Sequence, residues 1–221
     1  MKENCGNVKK RAIWTAAGIA AAAATYFLVI RPRHLHWGAT KKEAEGYLPG
    51  DAFIEEPDVV ATHAITIDAP VLDVWPWIAQ LGQGRGGFYS YTMLENLVGC
   101  DMHNATEIHP EWQEVQQGDV IRFHPKFPPS PIEMLDTGNH MVVGIDLKSP
   151  NQATWAFVLK DLGNNKTRFI VRLRARTHKG LGRLGDLLVT EPAHFIMERK
   201  MMLTIKHLAE SRFATRPEVA A

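Results

Sequence analysis

Three stretches in the second half of the chain place an apolar residue at every second position, and nothing else limits the fold as tightly. Met141, Val143, Ile145 and Leu147 form the first; Ala153, Trp155, Phe157 and Leu159 the second; Phe169, Val171, Leu173 and Ala175 the third. Successive side chains of a strand point to opposite faces, so each stretch gives a sheet one apolar row. Residues 163–166 read as a tight turn between the last two, which makes an antiparallel meander.

Such a sheet must cover its apolar face. His63, Ile65 and Ile67 alternate with Thr62, Ala64 and Thr66 as a first strand, and Asp68 and Pro70 then signal a helix start. Val71, Val74, Trp75 and Ile78 follow at helical spacing, with Pro76 expected to kink or shorten that helix. Residues 118–123 read as a short strand, whereas 124–131, HPKFPPSP, read as a loop because proline cannot donate to a ladder. After a segment punctuated by glycines, Pro192 opens a last helix. His194, Met197, Met201, Ile205 and Leu208 form its apolar stripe, broadened by Phe195, Ile196, Met202 and Leu203. Antiparallel strands between helices make an α+β domain over 59–212, and the final helix is the one apolar object large enough to cover a sheet face. Residues 213–221 read as a frayed tail.

Ahead of the domain, residues 12–30, AIWTAAGIAAAAATYFLVI, carry no charge and lie between Arg11 and Arg31. At about 1.5 Å per residue, such a helix just spans a hydrocarbon core of roughly 30 Å. The run ends directly in Arg31, Pro32 and Arg33 without a small-residue cleavage site, which favours an uncleaved single-pass membrane anchor over a cleaved signal. Lys2, Lys9, Lys10 and Arg11 on one flank are matched by Arg31, Arg33, Lys41 and Lys42 on the other, so charge assigns no side. Residues 1–11 are a short flank, and 31–58, with mixed charge and Pro32, Pro49 and Pro57, read as a linker. Cys5, beside the membrane, is a position where acylation is conceivable.

Composition excludes some classes. With 25 Lys and Arg against 24 Asp and Glu, the chain lacks the basic excess that a nucleic-acid binder needs. Two cysteines, Cys5 and Cys100, do not make a disulfide framework. Cys100 and His103 are half of a zinc pattern with no second half among His109 and His124, so no metal is expected. No cofactor is expected either: the glycine cluster GQGRGG follows a helix and lacks the Lys-Ser/Thr of a phosphate loop.

That cluster begins the most unusual stretch. Gly82, Gly84, Gly86 and Gly87 precede Phe88, Tyr89 and Tyr91. Met93, Leu94, Leu97 and Val98 then recur at helical spacing until Gly99, placing Glu95 and Asn96 on the other side of a short helix. Asp101, His103, Asn104, Glu107, His109, Glu111 and Trp112 follow around Pro110.

Between about Tyr47 and Arg212 the chain resembles the START-related SRPBCC superfamily of helix-grip proteins, in particular its polyketide-cyclase and lipid-transport-like branch. The resemblance is carried by YLPGD, ITIDAPVLDVWPWIAQLGQGRGGFYSY, LENLVG, HNATEIHPEWQ, GDVIR, TWAFVL and EPAHFIMERKM. It implies a curved sheet gripping the long final helix, with a deep, mostly apolar cavity between them. The anchor and the proline-rich loop depart from a typical soluble member. No catalytic motif is shared across the superfamily, so the resemblance assigns no residue a role.

If the second short helix and its loops flank the cavity mouth, then Tyr89, Tyr91, Glu95, His103, Asn104 and Trp112, with Trp155, Met197 and Met201, are candidates to contact a ligand. His103, Glu111 and Tyr89 are the candidates for acid and base. Equally, these side chains serve to tie loops together. The expected function is membrane-anchored binding or transfer of a hydrophobic small molecule, a lipid, isoprenoid or polyketide-like compound. Alternatives are a cyclase, hydrolase or dehydratase in the same cavity, and a protein-interaction module. Arg172, Arg174 and Arg176 line one strand face, followed by His178, Lys179 and Arg183. They read as a solvated outer face or as a contact for anionic headgroups.

Overall fold

In the computed structural model, which describes residues 2–216, the three alternating stretches form β4 (His140–Ile145), β5 (Ala153–Asp161) and β6 (Thr167–Ala175). With β1 (Val59–Ile67), β2 (Val120–Ile121) and β3 (Ser130–Asp136) they build a curved, antiparallel sheet of order β1-β6-β5-β4-β3-β2. Register places His63 opposite Val171, Trp155 opposite both Leu173 and Val143, and Phe157 opposite both Val171 and Met141. These residues share the inner face. β3 escapes periodicity because Pro131 lies in it opposite Val120, and because its register against β4 shifts between Ile132 and Met134, which breaks the alternation.

The helices are α1 (Lys2–Thr25), α2 (Arg31–Leu35), α3 (Lys41–Glu45), α4 (Val71–Ala79), α5 (Thr92–Leu97), α6 (Leu181–Gly185) and α7 (Glu191–Thr215), of which α4 and α7 pack on the inner face of the sheet. α7 buries Glu198, Met201, Met202, Ile205 and Ala209, one stripe at helical spacing. Pro76 is accommodated inside α4, where Gln113 Nε2 donates to its carbonyl. Buried Asp73 on α4 accepts from Arg212 and Arg216, both at 3.2 Å, and so fastens the far end of α7. The glycine-punctuated segment is helical, since α6 and a π-helical turn, Asp186–Thr190, run straight into α7. α7 itself extends to Thr215, past the expected start of the tail, and residues beyond 216 and the Cys5 side chain lie outside the described residues.

Residues 31–58, expected as a linker, are bonded to the domain: 31–37 lie against β1 and α7, and 38–58 cover the outer face of the sheet, where the arginine row holds them. Arg172 is 2% exposed and uses all five N–H donors: Thr62 Oγ1 at 3.0 Å, Asp51 Oδ2 at 2.7 Å, and the carbonyls of Gly46, Glu43 and Ala44 at 2.8, 2.6 and 2.9 Å. Arg168 forks onto Glu43 at 2.8 Å twice, and Arg174 donates to the Ile54 carbonyl. The strand face read as solvated, or as free for headgroups, is therefore a set of anchors for the chain's own backbone. Thr40 and Glu43 form a capping box, and the Arg168 guanidinium is the main reason that the Glu43 carboxyl is held down at about 2. Leu48 and Ala39 pack on Ala64, Val158 and Ile170 beneath this cover. Coverage on both faces explains why β4 and most of β5 read as almost continuously apolar.

α1 continues through a π-helical turn, Tyr26–Ile30, into α2. Residues Ile13–Leu35 are long and apolar enough to cross a membrane, and none of this stretch's most apolar window is buried in the protein. The base of this helix is fixed to the domain. Tyr26 donates its hydroxyl to the Leu187 carbonyl at 2.7 Å, Arg31 forks onto Glu191 at 2.8 and 3.0 Å, and His34 stacks on Phe195.

Candidate functional site

The glycine-rich stretch is a scaffold. Gly82 and Gly87 pair as an isolated bridge, and Gly87 sits at φ +72° where a Cβ would lie 2.5 Å from Asn104 Oδ1. A Cβ on Gly86 would lie 2.7 Å from both the Gln80 carbonyl and the Tyr89 hydroxyl. The buried Gln80 amide ties this loop to the one around Pro110: its Nε2 donates to Tyr89 Oη at 2.8 Å and to the Glu107 carbonyl, while its Oε1 accepts from His109 N. Arg85 donates to the carbonyls of Ala79 and Trp112.

This scaffold draws most of the sequence-level candidates away from the interior. Tyr89 is fully buried, packed edge-on against Trp77, and burial pushes its phenol far above the ordinary range, so it holds its proton. Asn104 accepts from Tyr89 N at 2.8 Å and donates to the Ser90 carbonyl at 2.9 Å, which spends its amide on the loop. His103 is 82% exposed beside Asp101, Glu111 lies outside with His109, Trp112 stacks on the His109 ring, and Tyr91 is largely exposed. Cys100, His109 and His124 do not converge with His103 either: His124 contacts the Val98 carbonyl and Phe127.

α5 turns its polar side to the interior. Met93, Leu97 and Val98 are exposed, while Glu95 is 8% exposed. The cause is the Asn96 side chain, which donates to the Met102 carbonyl and accepts from Met102 N, hooking the following loop and rotating Glu95 inward.

Between sheet and α7 lies a cavity of about 270 Å³. Its walls are apolar for the most part: Phe88, Phe123 and Trp155 on one side, Met102, Met197 and Met201 on the other. Phe88 and Phe123 stack at 5.0 Å, and Trp155 leans on both at 5.9 and 5.8 Å. Of the sequence-level candidates, Glu95, Trp155, Met197 and Met201 line it. His194 and Glu198, one turn apart on α7, also line it and were not among the expected site residues.

Glu198 is the centre of the polar part. Trp155 Nε1 donates to its Oε2 at 2.7 Å, His194 Nε2 stands 3.5 Å from the same oxygen, and His63 Nδ1 meets Oε1 in a very short contact. The other nitrogen of His63, Nε2, lies 2.7 Å from the His34 carbonyl, which only accepts, so that nitrogen carries a hydrogen. One further proton is then shared between Nδ1 and the carboxyl. Burial alone pushes His63 down and Glu198 up; their mutual hydrogen bond and charge, with His194 and Trp155 acting on Glu198, outweigh it and reverse both. The pair is an imidazolium and a carboxylate. His194 is held low by burial, only partly offset by Glu198, and stays neutral.

Glu95 faces the same cavity under opposite conditions. Burial holds its carboxyl above the usual range, and its Oε2 has no hydrogen-bond partner. One cavity therefore contains an ionised carboxyl and a carboxyl biased toward its acid form. A signal for Glu198 exists in the sequence: it interrupts the apolar stripe of the last helix between His194 and Met201. His63 likewise stands on the apolar side of the first alternating strand.

No family model and no curated protein matches this chain. Solved structures with a similar chain course include norcoclaurine synthase from Thalictrum flavum, at 12% identity and TM-score 0.41, covering 77% of this chain and 95% of that one. CalU16 from Micromonospora echinospora is similar at 12% identity and TM-score 0.34, covering 70% of this chain and 85% of its own. The hypothetical protein jhp0584 from Helicobacter pylori is similar at 9% identity and TM-score 0.43, covering 77% and 94%. No residue role passes from those proteins to this one.

Proposed function

We propose that this is a helix-grip protein of the SRPBCC type that binds a small, mostly apolar molecule in the cavity between sheet and α7. The observation that carries the reading is an apolar hollow of about 270 Å³ with only a few placed polar groups on its wall, the ordinary design of a small-molecule site. The apolar helix Ile13–Leu35 is read as a single-pass anchor. Its base is bonded to the start of α7, so it holds the cavity beside a bilayer, where such a guest is concentrated.

Native mass spectrometry of the full chain, released from lipid nanodiscs, is expected to show a retained small organic mass. Met197→Trp puts an indole into the hollow from a half-buried position and should lower occupancy several-fold while leaving the thermal midpoint nearly unchanged. Equal occupancy in both chains, or an empty wild type, would overturn the reading.

A second reading, chemistry on the guest, is favoured by one observation: Glu95 and Glu198 share a cavity with their acidities pushed apart. It replaces the His103 and Glu111 pairing, which stands outside the cavity. A guest released changed from the wild type but unchanged from Glu198→Gln would select it.

A further inference from the structure

We propose that the guest carries a basic nitrogen and that Glu95 holds it, making the ligand class a lipophilic amine. The inference rests on the binding reading above and narrows it. Glu95 lines the cavity, is 8% exposed, and keeps Oε2 without a partner. A buried carboxyl left without a hydrogen bond is costly, and a ligand N–H brought to the Glu95 carboxyl removes the cost.

The remaining wall excludes the other obvious head groups. Among the described residues that line the cavity, none is a lysine or arginine. The Ser90 hydroxyl hydrogen is directed to the Met197 backbone carbonyl and thioether, and His194, held low by burial, is neutral. A carboxylate or phosphate would thus enter a low-dielectric space facing two carboxyls with no cation free to meet it. Glu198 is the poorer acceptor for the amine, because the His63 imidazolium already meets its charge and each of its oxygens already accepts a hydrogen bond. The stacked faces of Phe88, Phe123 and Trp155 add attraction for a cation at close range.

The protons balance without any further reactant. From the acid form of Glu95, an amine entering as its free base takes the proton: an O–H bond breaks, an N–H bond forms, and an ammonium–carboxylate pair results with no change of net charge; the ionised form pairs directly with the ammonium ion. An ammonium ion meeting the acid form displaces that proton to water.

The test compares octylamine, octan-1-ol and octanoate by titration calorimetry against the full chain in phosphatidylcholine nanodiscs, with empty nanodiscs as blank. The amine is expected to bind at least about tenfold more tightly than the alcohol, as a hydrogen bond to a charged group warrants, with octanoate weakest. Glu95→Gln should reduce the amine's advantage over the alcohol to about twofold or less. Octanoate binding as tightly as the amine, or an amine advantage that survives Glu95→Gln, overturns the proposal. Binding of none of the three overturns the cavity reading with it, whereas alcohol binding without amine preference overturns the amine alone. The wild-type ranking decides the matter even if Glu95→Gln fails to fold.

Discussion

Asp51→Ala is expected to destabilise the full chain by about 3–5 kcal/mol, the usual cost of leaving one member of a buried ion pair without the other. Asp51 Oδ2 is the only charged acceptor on Arg172, and it also accepts from Leu48 N at 3.0 Å. Without it, a guanidinium that is 2% exposed keeps four neutral acceptors and an uncompensated charge. Arg172→Met together with Asp51→Ala should cost less than Asp51→Ala alone, since no isolated charge then remains buried. Urea unfolding midpoints at constant slope measure both. A second readout is local: proteolysis within residues 38–58 should accelerate in Asp51→Ala, because those residues are what the arginines hold against the sheet. A loss below about 1 kcal/mol, with no new cleavage there, would mean that the cover is held by packing of Leu48 and Ala39 alone.

That region is where sequence periodicity had least to say. Residues 31–58 contain no regular element longer than α2 and α3, each five residues, and their prolines and mixed charge look like connecting chain. The information was present as complementarity across a hundred and more residues. Arginines at 168, 172 and 174 match acids at 43 and 51, and a one-dimensional reading does not pair them. By contrast β1, β4, β5, β6, α4 and the stripe of α7 are legible, because burial of one face stamps a period on neighbouring residues. β3 lost that stamp to Pro131 and the register shift.

The site was legible only in part for a related reason. Polar residues in a loop draw the eye, but Tyr89 and Asn104 are consumed by Gln80 and backbone, and His103 and Glu111 face outward. The residues that give the cavity its chemistry lie inside regular elements: Glu198 on α7, His63 on β1, Glu95 on α5. A charged side chain in an apolar stripe is costly to bury unless it is paired, so its presence there is the more informative signal. Glu95 was expected as a ligand contact and does line the cavity, on the polar side of a short helix whose orientation the Asn96 side chain sets through its two bonds to Met102.

Glu198→Gln tests the buried pair, and its effect should depend on pH with a definite sign. Glu198 is lowered in the folded protein, so its share of stability is present above about 4.5 and lost as pH falls through the folded value. His63 is raised, so its share is complete below about 6.5 and lost as pH rises through its higher folded value. The two windows overlap between about 4.5 and 6.5, where the wild type contains a full imidazolium–carboxylate pair. There Glu198→Gln, which keeps the shape but strands His63, is expected to cost about 3–5 kcal/mol. The deficit should shrink above pH 6.5, as the wild-type histidine gives up its proton, and shrink again toward acid, as the wild-type carboxylate takes one. Denaturant titrations of both chains at a series of pH values measure the gap. A gap that is flat, or that widens from pH 6.5 to 9, would mean that the folded pair keeps no proton that the unfolded chain loses, and it would overturn the shared-proton pair.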